Sequence, residues 1–312
     1  MSCNKEKCKT SIGGQAVMEG VMMMGPQKIA VSVRKPDGEI ITDLSDVKKA
    51  TKSKFLKLPI IRGCVNFIRS LVIGVKSLMF SAEFFDIESE EEKPGKFDLW
   101  LEKTFGNKLK DAIIYLSVVL SVVLSVGLFI LLPTFVANLL KLQSGFTKTL
   151  IEGFLRIIIF LFYIIFVSRM EDIKRVFMYH GAEHKSIACY EAGLDLTVNN
   201  ARDCSRFHPR CGTSFLLIVM VVSFFVFLLI PNQASWLGRF GFRLLLLPVV
   251  AGVSYEIIKF AGRHDNKFTR AISKPGIWMQ RFTTKEPTDD MIEVAICSLR
   301  AVMPENAEEA KW

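Results

Sequence analysis

Charge is absent from two long stretches of this 312-residue chain, Ala112 to Leu140 and Thr213 to Gln233, runs of 29 and 21 residues. Either run suffices to cross about 30 Å of hydrocarbon. Histidine is scarce, with four in the whole chain, so the spacing of those few is informative. The seven cysteines, at 3, 8, 64, 189, 204, 211 and 297, all fall in segments expected to face a reducing compartment, which excludes a disulfide framework. The start, Met1 to Lys9, leads into no apolar core or small-residue cleavage site, so no signal peptide is expected and insertion relies on internal helices. No aromatic-basic recognition motif accompanies the net charge of +9, which makes a nucleic-acid partner unlikely. There is no internal repeat and no low-complexity segment.

What remains is half apolar, with mean hydropathy +0.33 and the apolar residues gathered in blocks. This composition reads as a mainly α-helical integral membrane protein. Four spans are expected, at 112–140, 150–168, 213–233 and 240–260; the last is interrupted by Arg243, Glu256 and Lys259. Residues 1–111 carry 19 Lys and Arg, 169–212 carry 7 and 261–312 carry 8, whereas the other two connections carry only Lys141, Lys148 and Arg239. The positive-inside rule then sets both termini and the central loop in the cytoplasm. Glu152 and Arg156, one turn apart, can neutralise each other, Pro248 should kink the last span, and Lys259 or Arg263 is the expected partner of Glu256.

The segments outside the spans have their own organisation. Residues 1–54 form a β-containing element: Lys28 to Arg34 alternates apolar and polar, Lys35-Pro-Asp-Gly38 supplies turn chemistry, and Glu39 to Thr42 returns. Gly13 to Gly20 is a glycine-flanked strand or loop. Residues 55–85 are apolar but carry Arg62, Arg69 and Lys76 at seven-residue intervals. They predict a basic amphipathic helix whose charges meet anionic phospholipid headgroups while Phe67, Ile68, Leu71, Val72, Val75 and Leu78 enter the lipid boundary; a fifth, re-entrant or spanning helix is the competing reading. An acidic linker follows over 86–111, and 261–312 ends in an amphipathic helix bearing Ile292, Ala295, Ile296, Leu299 and Val302.

The chemistry concentrates in the loop 169–212. His180, Glu183 and His184 spell H-x-x-E-H. On a helix the two imidazoles share one face, and the carboxylate lies beside them where a metal-bound water would sit. Zinc is the divalent ion best suited to imidazole and thiolate donors. Catalytic zinc takes three protein ligands, and the third candidate is His208 in Cys204-Ser-Arg-Phe-His-Pro-Arg-Cys211, with Cys204 and Cys211 as alternatives. Glu183 is the candidate general base. Glu171, Asp172, Glu191 and Asp195 are candidate partners that would orient the imidazoles, and His264 is a weaker candidate ligand near the last span.

Several motifs together carry a wider resemblance: Gly13-Gly-Gln-Ala-Val-Met-Glu-Gly-Val-Met-Met-Met-Gly-Pro26, the helix from Pro59 to Leu78 with Arg62-Gly63, Tyr179-His-Gly-Ala-Glu-His-Lys185, Arg206-Phe-His-Pro-Arg-Cys-Gly-Thr-Ser214 and Lys274 to Pro287. In these the chain resembles the YqhQ-like family of bacterial integral membrane proteins over nearly its whole length. The resemblance implies a domain of unknown function that carries the label of a predicted metal-dependent enzyme, a label bearing on His180, Glu183, His184 and His208. Two functions are therefore expected to compete. One is a membrane-embedded metal-dependent hydrolase at the cytoplasmic face, acting on a peptide or lipid-linked ester. The other is a non-enzymatic scaffold or assembly factor for another membrane protein, with the histidines as a structural metal site or polar joint. Transport is disfavoured by the lack of discontinuous, charged helices.

Overall fold

The computed structural model describes residues 10–47, 58–85, 107–140, 145–230, 236–264 and 266–304. Cys3, Cys8, the lysines of the start and the acidic run of 86–95 lie outside the described residues. The chain divides into two compact units, one of residues 1–84 with 164–312 and one of residues 85–163.

The first unit opens with a four-stranded antiparallel sheet in the order β1 (Gly13–Val17), β2 (Gly20–Met24), β3 (Lys28–Arg34) and β4 (Ile40–Asp46). The expected hairpin over 28–42 is β3 and β4, closed where Gly38 at φ 90° donates its N–H to the Lys35 carbonyl. The preceding glycine-rich stretch is a second hairpin whose two-residue turn, Met18-Glu19, puts Glu19 at φ 47°. That left-handed position is unusual for glutamate. It is held by Arg175, which grips the Glu19 carboxylate with two hydrogen bonds of 2.5 Å, and by the Tyr179 hydroxyl at 3.2 Å.

Along the rest of the chain run α1 (Pro59–Ala82), α2 (Asn107–Val126), a π-turn (Gly127–Leu131), α3 (Leu132–Leu139), α4 (Gly145–Val167), α5 (Glu171–Glu191), α6 (Val198–Arg202), α7 (Gly212–Phe227), α8 (Trp236–Arg263), α9 (Lys267–Thr283) and α10 (Asp289–Val302). The core of the first unit lies between the sheet, α5 and α10. Ile292, Ala295, Ile296, Leu299 and Val302 of α10 are buried there with Val21, Met23 and Ala30 of the sheet and Tyr179, Ala182 and Ile187 of α5. The helical spacing read from the sequence is therefore the buried face of α10, and Ser298 adds a hydrogen bond of 3.0 Å to the Ala30 carbonyl.

The second unit contains α2, the π-turn, α3 and most of α4. Pro133 cannot donate a backbone hydrogen bond to Phe129 four residues earlier, and the helix widens there into the π-turn. The freed Phe129 carbonyl accepts instead from Arg156 Nε of α4 at 3.0 Å, so this charged residue of α4 repairs the backbone that proline opens.

Among the described residues four helices are long and apolar enough to cross a membrane: 59–82, 119–139, 146–167 and 240–262. This set differs from the expected spans at two places. α1 qualifies as a single 24-residue helix, while the stretch 213–233 yields α7 of 16 residues, about 24 Å long, ahead of Pro231. Along α1, Arg62 does not reach for headgroups but forms a two-pronged ion pair with Glu256 of α8, both contacts at 2.7 Å. The expected pairing of Glu256 with Lys259 or Arg263 is thus replaced by a partner 194 residues away. The replacement follows from backbone proximity: Gly63 and Gly252 let the two helices touch, since a Cβ on Gly63 would sit 2.8 Å from the Gly252 Cα. Asn66 also donates to the Tyr255 hydroxyl at 2.8 Å.

Removing one partner of such a pair leaves an uncompensated charge between apolar helices. Arg62→Ala and Glu256→Ala should each lower the melting temperature in detergent. The double variant should lose less than the sum, by a coupling on the order of 1 kcal/mol in a double-mutant cycle. Strictly additive losses would contradict the pairing.

Candidate metal centre

α5 carries the H-x-x-E-H residues on a face that adjoins its core face and meets the edge of β1. A break precedes it: Met170 is extended at ψ 134°, so α5 does not continue α4 outward, and the segment can fold back. Gly181 allows the strand-like segment after α9 to lie against α5, because a Cβ there would meet the Lys285 carbonyl at 2.1 Å. Lys285 N–H then donates to the Phe177 carbonyl at 2.8 Å.

That contact sets the first imidazole. His180 Nδ1 lies 2.8 Å from the Thr283 carbonyl, and His184 Nδ1 lies 2.6 Å from the Arg206 carbonyl. A carbonyl only accepts, so both Nδ1 atoms carry the proton and both Nε2 atoms present lone pairs. His180 Nε2 faces the Cys211 sulfur at 3.1 Å, while His184 Nε2 is buried with no partner among the described residues. The three donor atoms of His180, His184 and Cys211 lie within 4.8 Å of one another, a set able to hold a metal ion. Cys211 caps the N-terminus of α7, with the Thr213 N–H directed at its sulfur.

Glu183 sits beside this set, 5% exposed. One carboxylate oxygen, Oε2, is buried without a partner, while the Gly14 N–H of β1 donates to the carboxylate. Burial pushes its pKa up to about 7, against the pull of His180 and the Gly14 N–H. Gly14 is required here: a Cβ would lie 2.5 Å from the Met22 carbonyl and 3.1 Å from Glu183 Cδ. Burial likewise lowers the pKa of His184, with His180 adding to the effect and the neighbouring Cys211 sulfur opposing it. A cavity of about 530 Å³ opens onto these residues, walled by residues 10–16, by Ser70 and Ile73 of α1, and by the 208–213 segment.

The other candidates lie elsewhere. His208 lines the same cavity, with its ring 5.7 Å from that of His184, but its Nε2 faces Glu191 at 3.4 Å and Arg210 at 3.3 Å. Glu191 is ion-paired with Arg210 and also accepts from the Thr10 N–H at 2.8 Å, so His208 belongs to a charged cluster one layer out. Cys204 points to the Asn200 carbonyl at 3.2 Å and is not part of the set. His264 is exposed and bonds the Phe260 carbonyl of its own helix. Of the carboxylates expected to orient imidazoles, Glu191 faces that of His208, but His180 and His184 are oriented by the carbonyls of Thr283 and Arg206, and main-chain groups leave no mark in a sequence. Gln280 was not singled out either. It clasps the His208 backbone from both sides, accepting from its N–H at 2.9 Å and donating to its carbonyl at 2.7 Å.

These features define a mainly helical protein with spans of membrane length, whose small sheet and helical core carry an H-x-x-E-H helix and a cysteine on one cavity. The chain belongs to the family described as "Protein of unknown function (DUF1385)", which matches residues 58–305. It is 38% identical over 308 residues to the "Uncharacterized protein YqhQ" of Bacillus subtilis (strain 168), covering 96% of this chain and 94% of the relative. No solved structure matches.

The environment of Glu183 sets a pH dependence for the metal-stripped protein. With a folded-state pKa of about 7 against an ordinary 4.5, its contribution to stability is full below pH 4.5 and is lost as pH rises to about 7. The loss is on the order of 3 kcal/mol. After chelation, Glu183→Gln should therefore melt above wild type at pH 8, with the gap closing at pH 5. Thermal unfolding in detergent at both values checks this, and a gap independent of pH would contradict the unpartnered burial.

Proposed function

We propose that this chain is a metal-dependent hydrolase of the bacterial cytoplasmic membrane, with zinc held by His180, His184 and Cys211 and with Glu183 as general base. One observation carries the reading: two imidazoles pinned by backbone carbonyls turn their free Nε2 atoms towards one thiol, beside a buried carboxylate with an unpartnered oxygen. The donor chemistry fits zinc, which combines imidazole and thiolate in three-ligand catalytic sites. Bound there, the ion would supply a water acidic enough to be deprotonated near neutral pH. Glu183 would take that proton, and the Gly14 N–H would hold its carboxylate in place. The Thr283 and Arg206 carbonyls keep both imidazoles in the ligating tautomer.

Connectivity supports a single soluble face, and the excess of Lys and Arg in its segments supports the cytoplasm as its side. The sheet, α5 and α10 share one core and so lie on one side of the bilayer. The chain must then cross an even number of times between the sheet and α5, and again between α5 and α10. Crossing by α2–α3 and α4 meets the first condition, and crossing by α7 and α8 as a hairpin meets the second. α1 is left on the side of the soluble face: its Gly74 rests on Gln15 of β1, where a Cβ would lie 2.4 Å from the Gln15 Oε1, and its start dips against α8 as far as the Pro248 carbonyl, which accepts from Cys64 at 2.9 Å. Its exposed Ile68, Leu71, Val72 and Val75 suit a lipid boundary, with anionic phospholipid as the partner of the exposed Lys76.

Elemental analysis of detergent-purified protein tests the centre. Wild type should carry about one zinc per chain. His180→Ala with His184→Ala, and Cys211→Ser alone, should lose it, whereas Cys204→Ser, His208→Ala and Glu183→Gln should keep it. Zinc retained by the double histidine variant, or wild type that cannot be loaded, overturns the reading.

A further inference from the structure

We infer that the cavity takes an extended polypeptide segment, paired by main-chain hydrogen bonds to the open edge of β1 and so laid across Glu183 and the His180, His184 and Cys211 donors. This rests on the hydrolase reading for what happens to the segment, but its binding is a separate matter. Among the described residues β1 is the outer strand of the sheet, paired on one side only with β2. Residues 10 to 16 line the cavity without a gap. Within β1 the run Gly13 to Ala16 is unbroken, whereas β2 contributes only the alternate Met22 and Met24, so the cavity covers one face of the sheet and wraps over the backbone edge of β1.

The hairpin register says which groups point into it. Val17 and Gly20 flank the two-residue turn and form its hydrogen-bonded pair, so Gln15 and Gly13 also bond towards β2. Gly14 and Ala16 therefore turn their N–H and carbonyl groups outward. The Gly14 N–H agrees with this, since it reaches Glu183. Left over are the Gly14 carbonyl and both main-chain groups of Ala16, which take no partner among the described residues. Gly13 and Gly14 also leave the edge bare of side chains, and Gly14 is exposed although it touches a buried carboxylate. An alternating donor and acceptor row at this spacing is matched by another extended chain. A lipid ester has no such row, and the cavity of about 530 Å³ is the size of an ordinary ligand pocket. The first anchoring bond thus lies on the residue that also holds the general base, so a paired segment is registered against Glu183.

The test uses the full-length, zinc-loaded Glu183→Gln variant in detergent and a fluorescein-labelled decapeptide of alternating valine and threonine, read by fluorescence anisotropy. Binding should weaken at least tenfold when peptide nitrogens of one parity near the probe's centre are methylated, and stay within twofold for the other parity. Adding Ala16→Pro should weaken the unmethylated probe at least tenfold, since proline deletes an outward N–H that no sheet bond uses; zinc content and melting temperature show that this variant is folded. The methylation series does not depend on any further protein variant. No binding, binding indifferent to methylation parity, or a site that binds phosphatidylglycerol vesicles but not the peptide each overturns the proposal. Zinc loading of the wild type is measured on the same preparations, so a failed edge with zinc retained leaves the metal centre standing, and parity-dependent binding without zinc removes the hydrolase reading alone.

Discussion

Two backbone carbonyls, those of Thr283 and Arg206, decide what the histidines of α5 can do. A neutral imidazole has one N–H and one lone pair, and swapping them would point a proton at the centre of the site. Both carbonyls are available because neither belongs to a completed helical ladder. Thr283 is the last residue of α9, where the final carbonyls of a helix have no partner within it, and Arg206 lies in the irregular segment between α6 and α7. Their placement depends in turn on the packing of α9. Gly276 lets α9 meet Ser214, whose Oγ would lie 2.4 Å from a Cβ at that position, and Gln280 locks the His208 backbone at both ends. Moving α9 would release one imidazole directly and the other through the loop.

α5 is the wall that these restraints share. One side of it, with Tyr179 and Ala182, is part of the core, and the adjoining side presents the donor atoms, with Ile187 shared between core and cavity. The same helix fixes the edge of the sheet, because Arg175 and Tyr179 hold the strained Glu19 turn of the first hairpin. Gly14 is thereby brought to Glu183. A single helix thus positions two imidazoles, a carboxylate and the strand beside them, which ties the geometry of the cavity to one packing interface rather than to several mobile loops.

Periodic features were legible in the sequence. The apolar spacing of Ile292, Ala295, Ile296, Leu299 and Val302 needed only the helical repeat, the β3–β4 hairpin announced itself through Pro36 and Gly38, and H-x-x-E-H implied its own shared face. The first hairpin was harder, because Met18-Glu19 has no turn chemistry and depends on a tertiary grip from α5. Long-range pairings were invisible: nothing local joins Arg62 to Glu256, or Cys211 rather than His208 to the histidine pair. His208 was the natural candidate by residue type, but the fold commits its Nε2 to the Glu191–Arg210 pair. The role of Gly14 was half legible, since glycine signals close approach without naming what approaches.

The position of α1 explains why a soluble core and membrane spans occur in one chain. Ser70 and Ile73 form one wall of the cavity, while Ile68, Leu71, Val72 and Val75 on the same helix are exposed. A helix is about 10 Å across with its side chains, so the cavity lies within roughly that distance of whatever covers the exposed apolar side. If that is lipid, the donor atoms are held at the membrane boundary by geometry alone. Gly63 against Gly252 and Arg62 on Glu256 then fix one end of α1 to α8, and Gly74 on Gln15 fixes its middle to β1. The depth of the site would be set by these two attachments, and a chain segment leaving the bilayer would meet the edge of β1 before it met bulk water.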